Sequence, residues 1–301
     1  MSLSTLSNGD SGFDARTKIN AGLSALNALV SPAVYYVDTA NGNDGTGAVG
    51  NPALPYATAQ TAFEDWQAEG IAGRMHLMRT ATDAGGITLA TDMSAPLHIT
   101  GEGYAASKLG GITASGAAGA DGDADLSGVS GYTGPVINIT SDWSVNLGAV
   151  AGNGGKGGDG GPAVSVDTSG GAGGDAPPTR LINAVVESVE LLGGNGGNGQ
   201  YYSGGDVGGN GGSLTAVILE GLRVVGAAGI NMDVGDGGSG TTPGSEGLPG
   251  SLWAVDCLVD FSFVVIGSVG FVSGCQGTTI SITGTVTDAG NNVTAPTYPA
   301  F

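Results

Sequence analysis

Apolar stretches and glycine arrays alternate along the second half of this chain. Residues 181–192 (LINAVVESVELL), 214–225 (LTAVILEGLRVV) and 252–266 (LWAVDCLVDFSFVVI) are dense in Val, Ile and Leu, as buried strands are. Shorter apolar pieces at 74–80, 86–90, 96–100 and 136–140 read as further strands, and 261–286 is glycine-punctuated strand almost throughout. A helical period occurs twice. Ile19, Leu23, Leu26 and Leu29 recur at spacings of four and three, with Phe13 ahead of them and Ser11 three residues before Asp14. That predicts an amphipathic helix with a start close to a capping box. Its stripe is expected to pack on copies of itself, on a docking partner, or back on its own domain, because a short helix alone is marginal. In residues 58–68 (TAQTAFEDWQA), Ala62, Phe63 and Trp66 mark a second short helix, suited to closing the open end of an apolar core.

Glycine fills the gaps between the apolar runs. Residues 152–161 read GNGGKGGDGG, 193–199 read GGNGGNG and 204–212 read GGDVGGNGG. The 103 residues from 148 to 250 hold 33 of the chain's 60 glycines. Ordering so much glycine is entropically costly, so the region is either a flexible linker or a lattice. Collagen needs glycine at every third position with proline between, and GGxGGxG does not supply it. Repeated interruption by apolar runs favours the lattice: extended, polyproline-II-like segments whose missing side chains let neighbouring backbones approach and hydrogen-bond. Apolar doublets near Trp143, Ala184, Ala216 and Ala254 lie 32 to 41 residues apart, more than one β-helical coil of roughly 20 to 25 residues. The excess is expected to leave one corner as long loops stacked on each other.

Composition narrows the function classes. The net charge is −19 with only 8 Lys and Arg, which repels phosphate backbones and argues against nucleic acid as a partner. A 12% charged and 40% apolar composition also separates the chain from acidic disordered proteins. No run of 18 apolar residues predicts membrane insertion. The first twenty residues lack the charged-then-apolar order of a signal peptide, so synthesis in a cytoplasm is expected, with release by another route such as lysis for a role outside the cell. Cys257 and Cys275, 18 residues apart, are expected on neighbouring coils as buried free thiols. Two cysteines alone make an incomplete metal site, and no cofactor motif stands out.

Three resemblances follow from particular residues. Gly9-Asp10-Ser11-Gly12 and Ala15-Arg16-Thr17-Lys18-Ile19-Asn20 resemble the opening of many tailed-phage structural proteins. Tyr35-Tyr36-Val37-Asp38, Asn41-Gly42-Asn43-Asp44-Gly45, Gly50-Asn51-Pro52, Pro55-Tyr56-Ala57-Thr58 and Ala62-Phe63 resemble the start of pectate-lyase-like right-handed β-helix proteins, where a strand leads through a loop to a capping helix. The arrays are similar, in composition and repeat only, to polyglycine-rich motifs of receptor-binding adhesins of some T-even-like phages. Together these imply an all-β, right-handed parallel β-helix with a short N-terminal helical anchor and glycine-rich, polyproline-II-like loops. They divide the chain into an attachment segment (1–30), a β-helix start with its cap (31–147) and a β-helix with glycine arrays (148–301). The implied role is a non-enzymatic virion protein of a tailed phage or phage-like particle: a fibre, spike or capsid decoration meeting a host-surface glycan or protein. Phe13, Ile19, Leu23 and Leu26 would join it to other virion proteins. Related solenoids often trimerise to bury strand edges, so a homotrimer is expected. Rival readings are a polysaccharide depolymerase of the same fold and a structural cement or ice-face-binding protein.

Candidate chemistry is sparse. Asp142, Glu187, Glu190, Glu220, Asp256 and Asp260 are acids on strand-like pieces, and glycoside hydrolysis needs two carboxyls about 5 to 9.5 Å apart. Lyase chemistry needs a cation, and the late solenoid offers only Lys156, Arg180 and Arg223. Solvent-facing acids explain the same residues without catalysis, so no catalytic residue is assigned. His76 and His98 lack ligand spacing and read as structural. Asp121, Asp123 and Asp125 alternate as in a calcium loop, but Leu126 and Tyr132 depart from the EF-hand pattern, which favours a solvated turn. Trp253, inside an apolar run, is expected in the core. Tyr201 and Tyr202 interrupt an array, and with Asn198, Asp206 and Asn210 they form the expected recognition surface. A staple to a neighbouring subunit would explain the tyrosines equally.

Overall fold

The structure is a computed structural model and describes residues 33–70, 73–78, 85–93, 95–203, 205–266, 269–283 and 286–288. The expected anchor helix with Phe13, Ile19, Leu23 and Leu26 lies outside these residues. The described chain winds as a right-handed parallel β-solenoid. One sheet stacks nine strands: β1 (Ala33–Val37), β2 (Gly73–Leu77), β4 (Leu97–Gly101), β6 (Ile137–Thr140), β8 (Thr179–Ile182), β10 (Val217–Glu220), β12 (Ser251–Val255), β14 (Val269–Ser273) and β16 (Val286–Asp288). The other stacks seven: β3 (Ile87–Leu89), β5 (Ile112–Ser115), β7 (Ala149–Asn153), β9 (Val185–Leu192), β11 (Arg223–Asp233), β13 (Leu258–Ile266) and β15 (Gln276–Thr283). The same sheets run on both sides of residue 147.

In-register stacking builds the core from columns of like residues. Leu97, Ile139, Leu181, Leu219 and Ala254 form one buried column, and Ile87, Ile112, Val150, Val189 and Ile230 face it from the second sheet. Strand side chains alternate between faces. Leu252 and Ala254 therefore point inward, and Trp253, expected in the core, stands on the outer face at 49% exposure. The three long apolar runs each supply two strands, one to each sheet. Each bends between sheets at one residue in the left-handed region: Asn183 (φ +51°), Gly221 (φ +58°) and Asp256 (φ +53°). Short polar side chains and glycine tolerate that conformation. Cys257 and Cys275 sit just past this corner as buried thiols, on coils whose register pairs Leu258 with Gln276.

Helix α1 (Ala59–Glu69) closes the first coil as expected. The Thr58 hydroxyl caps it by accepting the Thr61 N–H, and Gly70 (φ +64°) ends it. Asp44 fixes the approach by accepting the N–H groups of Ala57 (2.8 Å) and Thr58 (3.0 Å) and the Thr58 hydroxyl (2.9 Å). Ala59, Ala62, Phe63 and Trp66 form the buried face.

Coil length changes abruptly along the solenoid. Gly73 pairs with Leu97, 24 residues on, whereas Leu97 pairs with Ile139, 42 residues on. The extra length leaves β5, β7, β9 and β11 as four out-and-back excursions. Outgoing segments are 116–122, 154–161, 193–199 and 235–240; returning ones are 128–134, 170–176, 207–214 and 242–250. Sequence alone placed the arrays from 148, but the first layer begins at Gly116. These segments hydrogen-bond with a period of three residues, as polyproline-II-like helices do. The N–H groups of Gly154, Gly157 and Gly160 each donate at 2.8 Å to Leu192, Asn195 and Asn198 of the next coil. Those of Gly155 and Gly158 donate to Tyr132 and Val129 on the antiparallel return segment of the preceding coil, and that of Gly161 donates to Leu126 in the tip before it. A side chain on the first glycine of each pair would enter the facing segment, and one on the second would enter the preceding coil. The third residue of each triplet faces outward. Its side chain accepts the N–H of its counterpart one coil on: Asp121 from Asp159 (2.8 Å), Asp159 from Asn198 (2.8 Å), Asn198 from Ser239 (3.0 Å). The GGx repeat is thus one glycine per neighbouring segment and one polar residue per outer column.

The two ends of the lattice break this rule. In the first layer, Ala117, Ala120, Val129 and Tyr132 stand where later layers have the second glycine, because no earlier array packs there. In the last layer, Pro243 and Pro249 replace residues equivalent to the donors Gly208 and Leu214.

Candidate functional site

At the outer end of the lattice, the tips of the second, third and fourth layers are each pinned by an aspartate of the coil before. Asp125 accepts the N–H groups of Val164 (2.7 Å), Ser165 (2.7 Å) and Val166 (3.2 Å) and the Ser165 hydroxyl. Asp167 accepts those of Tyr202, Ser203 (2.6 Å) and Gly205 (2.9 Å). Asp206 accepts the N–H (3.1 Å) and hydroxyl of Thr241. Sequence reasoning missed this column; its trace is the recurrence of Asp at one-coil spacing, 125, 167 and 206.

Tyr201 and Tyr202 project from the pinned tip, 64% and 51% exposed. The polar residues expected beside them are engaged within the lattice. Asp206 is buried, and the carboxamide oxygens of Asn198 and Asn210 accept the N–H groups of Ser239 and Ser245. The tip therefore presents aromatic side chains on a backbone held by carboxylates.

The pinning makes the tip acid-sensitive. Hydrogen bonds, first of all from the Ser165 backbone, hold the Asp125 carboxyl down to about 2, and those led by the Ser203 backbone hold Asp167 down to about 2. A carboxylate with a depressed folded pKa contributes stability that is present above its unfolded value, near 3.9. That contribution is lost as pH falls through the folded value. Tip amides at 164–166 and at 202, 203 and 205 should therefore keep constant hydrogen-exchange protection from neutral pH to about 4, once intrinsic exchange rates are corrected for. They should then lose it progressively toward pH 2, before the solenoid amides do. Simultaneous loss at both places would show that the aspartates do not hold the tips.

A second feature lies at the corner between the sheets. Tyr104, Trp143, Asn183, Glu220, Arg223 and Asp256 line a groove of about 540 Å³. Trp143 is 50% exposed, and its indole N–H donates to the Gly221 carbonyl at 2.7 Å. The Arg223 guanidinium lies over the Tyr104 ring, 5.5 Å from its centroid, within cation–π range. Of the acids considered from sequence, Glu220 and Asp256 share this groove. Glu187 instead pairs with Lys108 at 2.6 Å, and Asp142 accepts the N–H and hydroxyl of Ser144. Lys156 pairs with Asp159 at 3.3 Å, and Arg180 donates to Asn138 at 3.4 Å.

Elsewhere, His76 Nδ1 lies 2.9 Å from the Thr100 hydroxyl, and burial lowers the pKa of both His76 and His98. Asp121 and Asp125 serve the lattice as described. Among the described residues no group of three or more His, Cys, Asp or Glu could hold a metal, and no helix is long and apolar enough to cross a membrane. Compared with family models, curated proteins and solved structures, the chain matches none.

Proposed function

We propose that this chain is a non-enzymatic structural protein of a tailed phage or phage-like particle, a fibre, spike or capsid decoration that meets a host surface through its glycine lattice. The observation that carries this reading is the tip: two half- to two-thirds-exposed tyrosines on a loop fixed by Asp167. Tyrosine offers broad contact area with little rotamer entropy to lose. A lattice braced by backbone hydrogen bonds presents such a contact far from the solenoid core. The resemblances of residues 9–20 and 35–63 support the particle setting. Residues 1–30 are then the attachment segment, and the outward row of Ile218 and Trp253 supports packing of sheet faces in a homotrimer. Glu220 and Asp256 in one groove favour the depolymerase as the second reading.

Changing Tyr201 and Tyr202 together to alanine is expected to leave oligomeric state and melting temperature unchanged. Adsorption of particles carrying the variant to host cells should fall by about tenfold or more, the loss typical of aromatic anchors. Full adsorption by the variant would remove the tip from recognition. A loss of oligomer stability with adsorption unchanged per folded protein would make the tyrosines an intersubunit staple.

A further inference from the structure

Trp143 occupies a conformation that its residue type disfavours. At φ +60° it lies in the left-handed region, where a bulky side chain is a genuine outlier. The same corner of later coils is filled by Asn183, Gly221, Asp256 and Gly274, residue types that tolerate it. Burial does not compensate, since half of the Trp143 side chain is exposed. The surroundings nevertheless hold the ring in one place. Its N–H is bound to the Gly221 carbonyl, and a side chain at Gly221 would crowd the ring, 3.2 Å from Cζ2. Strain kept without burial, around a fixed and exposed aromatic face, marks a site used for something other than folding.

The groups around that face specify what it can take. Glu220 and Asp256 bring carboxylate acceptors, and Arg223 brings donors beside the second aromatic, Tyr104. Arg223 Nε is buried and has no hydrogen-bond partner among the described residues. An apolar lining with a few convergent polar groups is the usual make-up of a small-ligand site. Pyranose rings match this set, with C–H faces for the aromatics and a rim of hydroxyls for the acceptors and donors. Two carboxylates at the site, on a chain of net charge −19, repel an acidic sugar. We propose that the corner groove binds a neutral saccharide, with Trp143 as its stacking platform and Arg223, Glu220 and Asp256 as its polar rim. This does not depend on the particle role or on the lattice tip.

The test is a printed array of neutral and acidic glycans, short and polymeric, probed with the full chain and followed by titration of the best ligand. At least one neutral glycan should bind. Trp143→Gly, which removes the platform and relaxes the backbone, should lose at least about tenfold in affinity with an equal or higher Tm. Tyr104→Ala and Arg223→Met should also weaken binding, while the Tyr201, Tyr202 double alanine variant should bind these glycans as the wild type does. An oligosaccharide bound as tightly as its polymer would identify a soluble sugar, and a preference for the polymer a surface chain; both support the site. The proposal is overturned if only acidic glycans or none bind, or if folded Trp143→Gly and Arg223→Met both bind like the wild type. Loss on changing the tyrosines alone would move the sugar to the tip and overturn it too.

Discussion

Alanine at Gly154, Gly157 and Gly160 together should unfold the glycine lattice while the solenoid coils before it stay folded. An added methyl carbon at Gly154 or Gly157 would be driven into the backbone carbonyls of Gly174 or Gly171, and at Gly160 it would meet the Thr168 hydroxyl at 2.6 Å. Backbone cannot rotate out of the way as a side-chain terminus can. Overpacking costs about 1–3 kcal/mol per site in ordinary cores, and at Gly154 and Gly157 the upper end is expected. Three such changes in one segment also break the bonds to the next coil, whose acceptors are Leu192, Asn195 and Asn198. Hydrogen exchange separates the outcomes: array amides from 154 to 214 should lose protection, and amides of β2 and β4 should retain it. Slow array exchange in the triple variant would mean that the segments do not pack as described.

Removal of the helical cap is expected to act on the solenoid itself. Trp66→Ala should destabilise by about 3–5 kcal/mol, the range for large aromatic truncations in a core. Trp66 is 1% exposed, lies 5.4 Å from Phe63 ring to ring, and fits over Gly73, where any side chain would meet its Cδ1 at 2.6 Å. Without the indole, the cover over Gly73 at the start of β2 is lost. The midpoint of denaturant unfolding, followed by circular dichroism, measures the loss; a shift equivalent to less than about 1 kcal/mol, well short of that range, would show that the cap is not part of the cooperative unit.

The coarse architecture was legible because it rests on local chemistry. Thr58, Phe63 and Trp66 announced the cap, Val- and Leu-rich runs announced the strands, and 32–41-residue spacing announced coils with loops extruded from them. The first lattice layer was hidden because its outer face needs no glycine, so Ala117, Val129 and Tyr132 masked the repeat. The corner was hidden for another reason. One left-handed residue inside an apolar run, such as Asn183, turns one strand into two on different sheets, and periodicity does not register a single φ. Apolar density around Trp253 predicts burial, whereas strand alternation between Leu252 and Ala254 sets its side chain on the outer face. Of the expected recognition residues, the two tyrosines stand free at the tip, whereas Asn198, Asp206 and Asn210 are bound into columns that only the stacking of distant coils creates. Trp143 carried no sequence signal, since its peculiarity lies in backbone conformation.

The exceptions at the two ends of the lattice bear on how copies of this protein meet. A stack of identical glycine layers is a self-complementary surface, and its open face would accept the first layer of another copy and then a third, as an uncapped sheet edge does. Here an arriving layer would meet Ala117, Ala120, Val129 and Tyr132 at one end. At the other it would find prolines without N–H groups at positions 243 and 249. Both boundaries therefore work against head-to-tail addition of one glycine lattice to another. Four layers is a length written into the chain at its two boundaries rather than the point at which glycine runs out.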